Sequence, residues 1–212
     1  MQFQLTKDFL SELETSLEAN NESQVVALLE EIHAADIAEI VEELDLNHAK
    51  LLYSYLDGNT ASEVLTNLDE DIRDKHVSSF TPKEIAKLFI ENLESDDATD
   101  VISVLNDKKR AEVISNIEDQ ELAKDIVHLL GFIEGTAGAL MGKELVKVHE
   151  SWSVKQCVVE MRKQAKDLDH IYTIYVINDK EVLLGRLSLK KLLTTASSTK
   201  IADIYSTGLK TV

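Results

Sequence analysis

Leu44-Asp45-Leu46-Asn47-His48-Ala49-Lys50-Leu51-Leu52-Tyr53-Ser54-Tyr55-Leu56-Asp57 is the stretch that decides the fold. A leucine followed by an acid opens it, and the same pair closes it twelve positions on. Working outward, apolar residues recur at Leu44, Leu56, Leu68 and Phe80, then at Leu93, Leu105, Ile117 and Leu129. The step is 12, with a single step of 13 between Phe80 and Leu93. Between rungs the spacing is helical: Ile37, Ile40, Val41 and Leu44 fall at i, i+3, i+4 and i+7, which places them on one face. Polar breaks follow the rungs, as in Asp57-Gly58-Asn59 and Asp69-Glu70-Asp71. Their short side chains accept hydrogen bonds from the free N–H groups that open a helix. A unit of one short helix and a turn cannot bury its apolar stripe alone. Stacked neighbours can, so the repeat predicts an all-α, solenoid-like superhelix.

Earlier in the chain, Lys7 to Leu17 is expected to form a helix with Phe9, Leu10, Leu13 and Leu17 on one face. Val25, Leu28, Leu29 and Ile32 form a second. Pro82 fits the first turn of its helix, with Thr81 as cap and Glu84 near the third position, because a missing N–H is no loss there. Ser95 is expected to cap the helix that carries Asp96, Asp97 and Asp100, and Glu118 to Phe132 to form the last helix of this part.

Beyond residue 130 the composition changes. Residues 1–130 hold one glycine, Gly58, and six follow, which marks a boundary to turn-rich chain. Short strands are expected at 145–148, 171–177 and 182–187, and helices after Ser153 and Ser188. The order is β-α-β-β-α, a small α/β module, so the fold class is α+β. The domains are read as 1–131 and 132–212. Thr207-Gly208-Leu209-Lys210-Thr211-Val212 has chemistry similar to that of Gly142-Lys143-Glu144-Leu145-Val146-Lys147-Val148. A second copy of the module is therefore expected to begin there, in a longer parent protein.

Charge divides the same way. Residues 1–130 carry 30 acids against 10 Lys and Arg, a net of −20; the remainder carries 9 against 12, a net of +3. The acidic part repels phosphates and excludes nucleic acid as a partner, but it attracts cations or a basic surface. One cysteine, Cys157, rules out an internal disulfide framework and, on an apolar helix face, reads as a buried structural thiol. The six histidines have no metal-ligand spacing. No apolar run is long enough to span a bilayer, and the fragment is expected to be soluble. No nucleophile motif, phosphate loop or catalytic carboxylate pair argues for an enzyme.

Two stretches carry a family resemblance. Glu31-Ile32-His33-Ala34-Ala35-Asp36-Ile37-Ala38-Glu39-Ile40, continuing through Glu43-Leu44, resembles the opening of the N domain of MgtE-type magnesium transporters. Glu134-Gly135-Thr136-Ala137-Gly138-Ala139-Leu140-Met141, Tyr172 to Ile177 and Gly185-Arg186-Leu187-Ser188-Leu189 resemble the junction and first CBS (cystathionine β-synthase-type) repeat of that family. The resemblance implies a superhelical N domain and a truncated CBS module on the cytoplasmic side of a membrane channel. It also implies Mg2+ as a regulatory ligand whose binding holds acidic lobes together and the pore closed. The partners would be the protein's own transmembrane domain, the second CBS repeat and a second copy in a homodimer.

Read from the residues alone, Asp96, Asp97 and Asp100 form an acidic helix start, where the helix dipole favours anions. The resemblance implies that Asp96 and Asp100 match the family's magnesium carboxylates, that Glu63 matches another acidic position, and that Ala139 lies where a backbone carbonyl faces an ion. Gly135 replaces an acid usual in that motif. CBS pairs often hold ATP or another adenosine ligand through an aspartate, but Lys191 stands at that position. An alternative reading is a helical-repeat interaction scaffold joined to a nucleotide-sensing CBS module.

Overall fold

The computed structural model describes residues 3–168, 171 and 173–210. The chain forms two compact units, Met1–Met141 and Gly142–Val212.

The first unit is all helix. α1 (Lys7–Glu18) and α2 (Glu22–Leu29) pack together, and their caps are the side chains of Thr6 and Asn21. The repeat follows as α3 (Ala34–Glu43), α4 (Leu46–Tyr55), α5 (Gly58–Asn67) and α6 (Glu70–Ser79). Each of these four helices has ten residues, and two residues join it to the next. The first joining residue is a rung of the ladder. Leu44, Leu56, Leu68 and Phe80 each leave the helix in extended conformation. Their amides still bond the carbonyl three residues back, and their side chains point into the core. The second joining residue is the next N-cap. Asp45 accepts from the amides of Asn47 and His48, and Asp57 accepts from Thr60. The step of 12 is therefore one helix plus an apolar exit and a capped entry.

The step of 13 has a physical cause. α7 (Pro82–Glu84) opens on the expected capping box between Thr81 and Glu84. It then continues as a π-helical turn, Ile85–Phe89, and a 3-10 turn, Ile90–Asn92. A π turn holds one more residue than an α turn, so the ladder slips by one. The wider turn seats Phe89 in the core, where Tyr53, Phe80 and Phe89 meet edge to face at 5.2–5.7 Å. Ser62 on α5 is buried, and its hydroxyl lies 3.0 Å from the Phe89 carbonyl. Gly58 makes the approach possible, because a Cβ there would meet the Asn92 side chain.

α8 (Ser95–Ser103), α9 (Asp107–Asn116) and α10 (Gln120–Leu129) complete the unit. α10 is shorter than the expected span from Glu118 to Phe132. Asp119 accepts from the amides of Glu121 and Leu122, which fixes the start at Gln120. Helices pack on their next-but-one neighbours: α3 on α5, α5 on the π turn, α7 on α9 and α8 on α10. That pairing gives these short helices the covering face they cannot supply themselves, while α4 packs on α1 and α2. The superhelical reading of the repeat and the α+β class are borne out.

In the second unit, β1 (Val146–His149) pairs parallel with β2 (Ile174–Ile177), and β2 pairs antiparallel with β3 (Leu183–Leu187). The order is β1-β2-β3. The strands are shorter than expected at 171–177, of which Tyr172 lies outside the described residues. α11 (Val154–Gln164), opened by a Ser153 capping box, lays Val154, Cys157 and Met161 on the sheet. Burial pushes the Cys157 thiol up to about 11, as befits an inert core residue. α12 (Leu189–Thr194) is capped by Ser188. Gly185 leaves room for the chain at Tyr205 and Ser206, which bonds back to Arg186. Among the described residues, no helix is long and apolar enough to cross a membrane.

Candidate functional site

The acidic cluster is built on α8. Its N-cap is Glu94 and not Ser95, the expected cap. Ser95 is fully buried inside the first turn, and its carbonyl accepts from the Thr99 hydroxyl at 2.6 Å. A residue packed into the core cannot also swing out to cap, so the helix begins one position earlier than its serine suggests. This frame puts Asp96 and Asp97 in the first turn and Asp100 one turn on.

Asp100 defines the electrostatics. Burial raises its carboxyl above the ordinary range; the Arg73 guanidinium opposes that, and the charges of Asp96, Glu70 and Glu134 add to it. Arg73 stands on α6 and is itself divided, 3.8 Å from Glu70 and 3.4 Å from Asp74. One guanidinium therefore serves several carboxylates, and the surplus of negative charge is left on Asp100. Asp96 is half-buried, and its Oδ1 is buried without a hydrogen-bond partner. A carboxylate oxygen in that state is costly, and a cation beside it would remove the cost.

The charges of Asp96, of Glu70 from α6 and of Glu134 from the turns at 131–141 all act on Asp100. Asp97 lies exposed on the same first turn. Ala139 is half-buried in the segment that also carries Glu134, and its amide donates to the Thr136 carbonyl at 3.1 Å. Glu63 is exposed on α5 and is not one of the charges acting on Asp100. Glu70, Arg73 and Glu134 are not among the site residues expected from the sequence. Glu134 sits inside the quoted Gly-rich motif, which offers a local signal. Nothing local ties Glu70 and Arg73 to α8, because only the stacking of the repeats brings α6 near it.

An all-oxygen donor set suits a hard cation. Mg2+ in particular is held by one or two carboxylates and keeps several waters. Asp96 fits such an ion: it is half-buried with one oxygen unpartnered, and the exposed acids Asp100, Glu70 and Glu134 near it have a single arginine acting among them.

Residues 32–135 match the family model described as the MgtE intracellular N domain. These residues form an MgtE-type N domain. The chain is 28% identical over 195 residues to the magnesium transporter MgtE of Thermus thermophilus, covering 92% of this chain and 43% of that protein. It is 33% identical over 82 residues to the MgtE of Enterococcus faecalis, covering 39% of this chain and 18% of that one. The chain thus spans less than half the length of these MgtE relatives. A solved cytosolic domain of the Mg2+ channel MgtE, in complex with ATP, superposes with a TM-score of 0.85 at 27% identity, over 96% of this chain and 82% of that one. The soluble part of a magnesium transporter gives 0.78 at 24% identity, over 95% and 78%, and shows the shared fold. The chain corresponds to the cytosolic part of MgtE proteins.

Proposed function

We propose that this chain is the magnesium-sensing regulatory region of an MgtE-type transporter, with residues 1–131 as the N domain and 132–212 as the first CBS repeat. The observation that carries the reading is the group of acids around Asp100, which shares a single arginine. Without divalent ions the acids repel one another and any acidic lobe brought close. With Mg2+ they are bridged, and the cytosolic parts hold the pore closed. Asp96 and Asp100 are the principal carboxylates, Asp97 and Glu63 are further acidic positions, and Ala139 offers a backbone carbonyl. A homodimer, the transmembrane domain and the second CBS repeat complete the assembly. The chain acts as a binding module and not as an enzyme.

Limited proteolysis with and without Mg2+ tests this. Mg2+ is expected to protect the wild-type chain and to lose that effect in the Asp96→Ala, Asp100→Ala double variant. Equal protection of both proteins would refute the sensor and favour a helical scaffold indifferent to the ion.

The ATP complex of the similar cytosolic domain favours a second reading, nucleotide binding by residues 142–212. Lys191, exposed on α12 where a ribose-binding acid would stand, speaks against it. Titrating ATP with calorimetry, with and without Mg2+, decides: heat that saturates supports the nucleotide reading, and its absence removes it.

A further inference from the structure

The N-terminal unit has ten basic residues against thirty acids up to residue 130, and four of the ten gather on one face. Lys50 on α4 donates to the Ser79 carbonyl at 2.9 Å, and Lys109 on α9 donates to the Ser78 carbonyl at 2.7 Å. Both close the C-terminal end of α6, where the helix dipole favours cations. Lys83 and Lys87, four residues apart, follow on the next helix. Lys50, Lys83 and Lys87 rim an open groove of about 600 Å³ whose apolar surface comes from Leu51, Phe80 and Leu88. The Lys50 ammonium also lies 4.9 Å over the Phe80 ring.

The acids at this rim are few and already engaged. Glu84 accepts from the Thr81 amide in its capping box, and Glu118 pairs with Lys87 at 2.7 Å. Glu91 accepts from the Glu118 amide. Among the described residues, no carboxylate lies within salt-bridge distance of Lys50, Lys83 or Lys109. Lys109 is held below its ordinary range by burial and by the charge of Lys50, with Glu84 opposing. In a unit this acidic, lysines are the scarce charge, yet here three of them rim an apolar floor.

From this arrangement we infer that the Lys50–Lys83–Lys87–Lys109 face is a docking groove for an acidic amphipathic segment of another protein. The segment's carboxylates would meet the lysine rim, and an apolar side chain would seat on Leu51, Phe80 and Leu88. Charge complementarity sets the sign of the partner: the rest of the unit repels acidic chains, so the segment is steered to this one face. The open groove and spread ammonium groups suit carboxylates distributed along a peptide. A compact phosphate would call for donors that converge on one point.

The test uses a fluorescein-labelled synthetic helix with glutamates on one face and leucines at i and i+4, read by anisotropy against the whole chain. Lys83→Glu is the informative variant, because Lys83 is exposed and closes no helix end. The peptide is expected to bind the wild type and to weaken about tenfold or more with Lys83→Glu. Lys83→Arg, and Lys124→Glu at an exposed site on α10 outside the groove lining, are expected to match the wild type in binding and in circular dichroism. Added salt should weaken binding, and so should replacing the peptide's leucines by alanine. Absence of binding, equal binding by Lys83→Glu, or full competition by inorganic phosphate would each overturn the proposal.

Discussion

Tyr53 is fully buried, and its hydroxyl has no hydrogen-bond partner. Burial also raises its pKa, so the phenol stays neutral. An unpaired buried polar group is a net loss, and Tyr53→Phe keeps the ring in the Phe80–Phe89 cluster while removing it. The substitution is expected to stabilise the protein by about 1 kcal/mol in urea unfolding; a destabilised variant would show that the hydroxyl is satisfied. His76, next to Tyr53, is 4% exposed, with an unpartnered Nδ1. Burial and Lys75 lower its pKa, so the folded protein holds the neutral ring. The unfolded chain takes up a proton below about pH 6.5 and the folded one resists until lower pH, so stability falls as pH drops through that window. Replacing His76 by Gln should flatten this part of the stability–pH curve. Asp100 has the opposite sign: its raised pKa favours the protonated fold, so stability declines as pH rises through the interval between its unfolded and folded values. For the same reason, Mg2+ binding is expected to release a proton in mildly acid solution. Calorimetry in two buffers of different ionisation heat would show equal enthalpies if no proton leaves.

Among elements, the π turn at Ile85–Phe89 is the irregular one, and α5 is built to receive it. Ser62→Ala removes a buried hydroxyl that lies 2.7 Å from the Gly58 carbonyl and 3.0 Å from the Phe89 carbonyl, and is expected to cost about 1–2 kcal/mol. Ser79→Ala, whose hydroxyl bonds locally to the His76 carbonyl at a half-buried site, serves as the comparison and should cost less. Equal midpoints for the two would mean that the Ser62 hydroxyl serves only the Gly58 carbonyl, a local bond like that of Ser79. The sequence shows that the ladder slips between Phe80 and Leu93, and periodicity locates the slip well. It does not show how the extra residue is stored. A loop and a wider helical turn satisfy the same count, and only packing against α5 and Tyr53 selects the turn. At Ser95 the local signal misleads, since a serine before two aspartates has the form of a cap while its burial makes it core.

On the scale of the whole molecule, the second unit leaves Leu145, Val159, Val182, Leu183, Leu189 and Leu193 exposed. Gathered in one patch, such side chains would form an interface. Concentration-dependent dimers are expected by light scattering, and a monomer mass at every concentration would argue against the homodimer. On the proposed function, a longer piece with a second CBS repeat is expected to bind Mg2+ more tightly than this chain, because that repeat would bring further ligands. Equal affinity by calorimetry would place all the ligands within these residues. In both pieces the affinity should fall with added monovalent salt, as screening weakens the acidic group.

The sequence by itself determined the repeat, the capped junctions, the change from helix to α/β chain and the acid-rich character of the first part. These follow from spacing and side-chain chemistry read over a dozen residues, where local propensity is strong. Only the tertiary structure decided which acids share a site. The charges of Glu70 and Arg73 on α6 act on Asp100 on α8 because the stacking of the repeats brings them near, an approach that no local pattern encodes. The same stacking gathered four lysines from three separate helices on one face. Their sequence positions show four isolated charges, and burial of the ladder's rungs is what turns them into a surface.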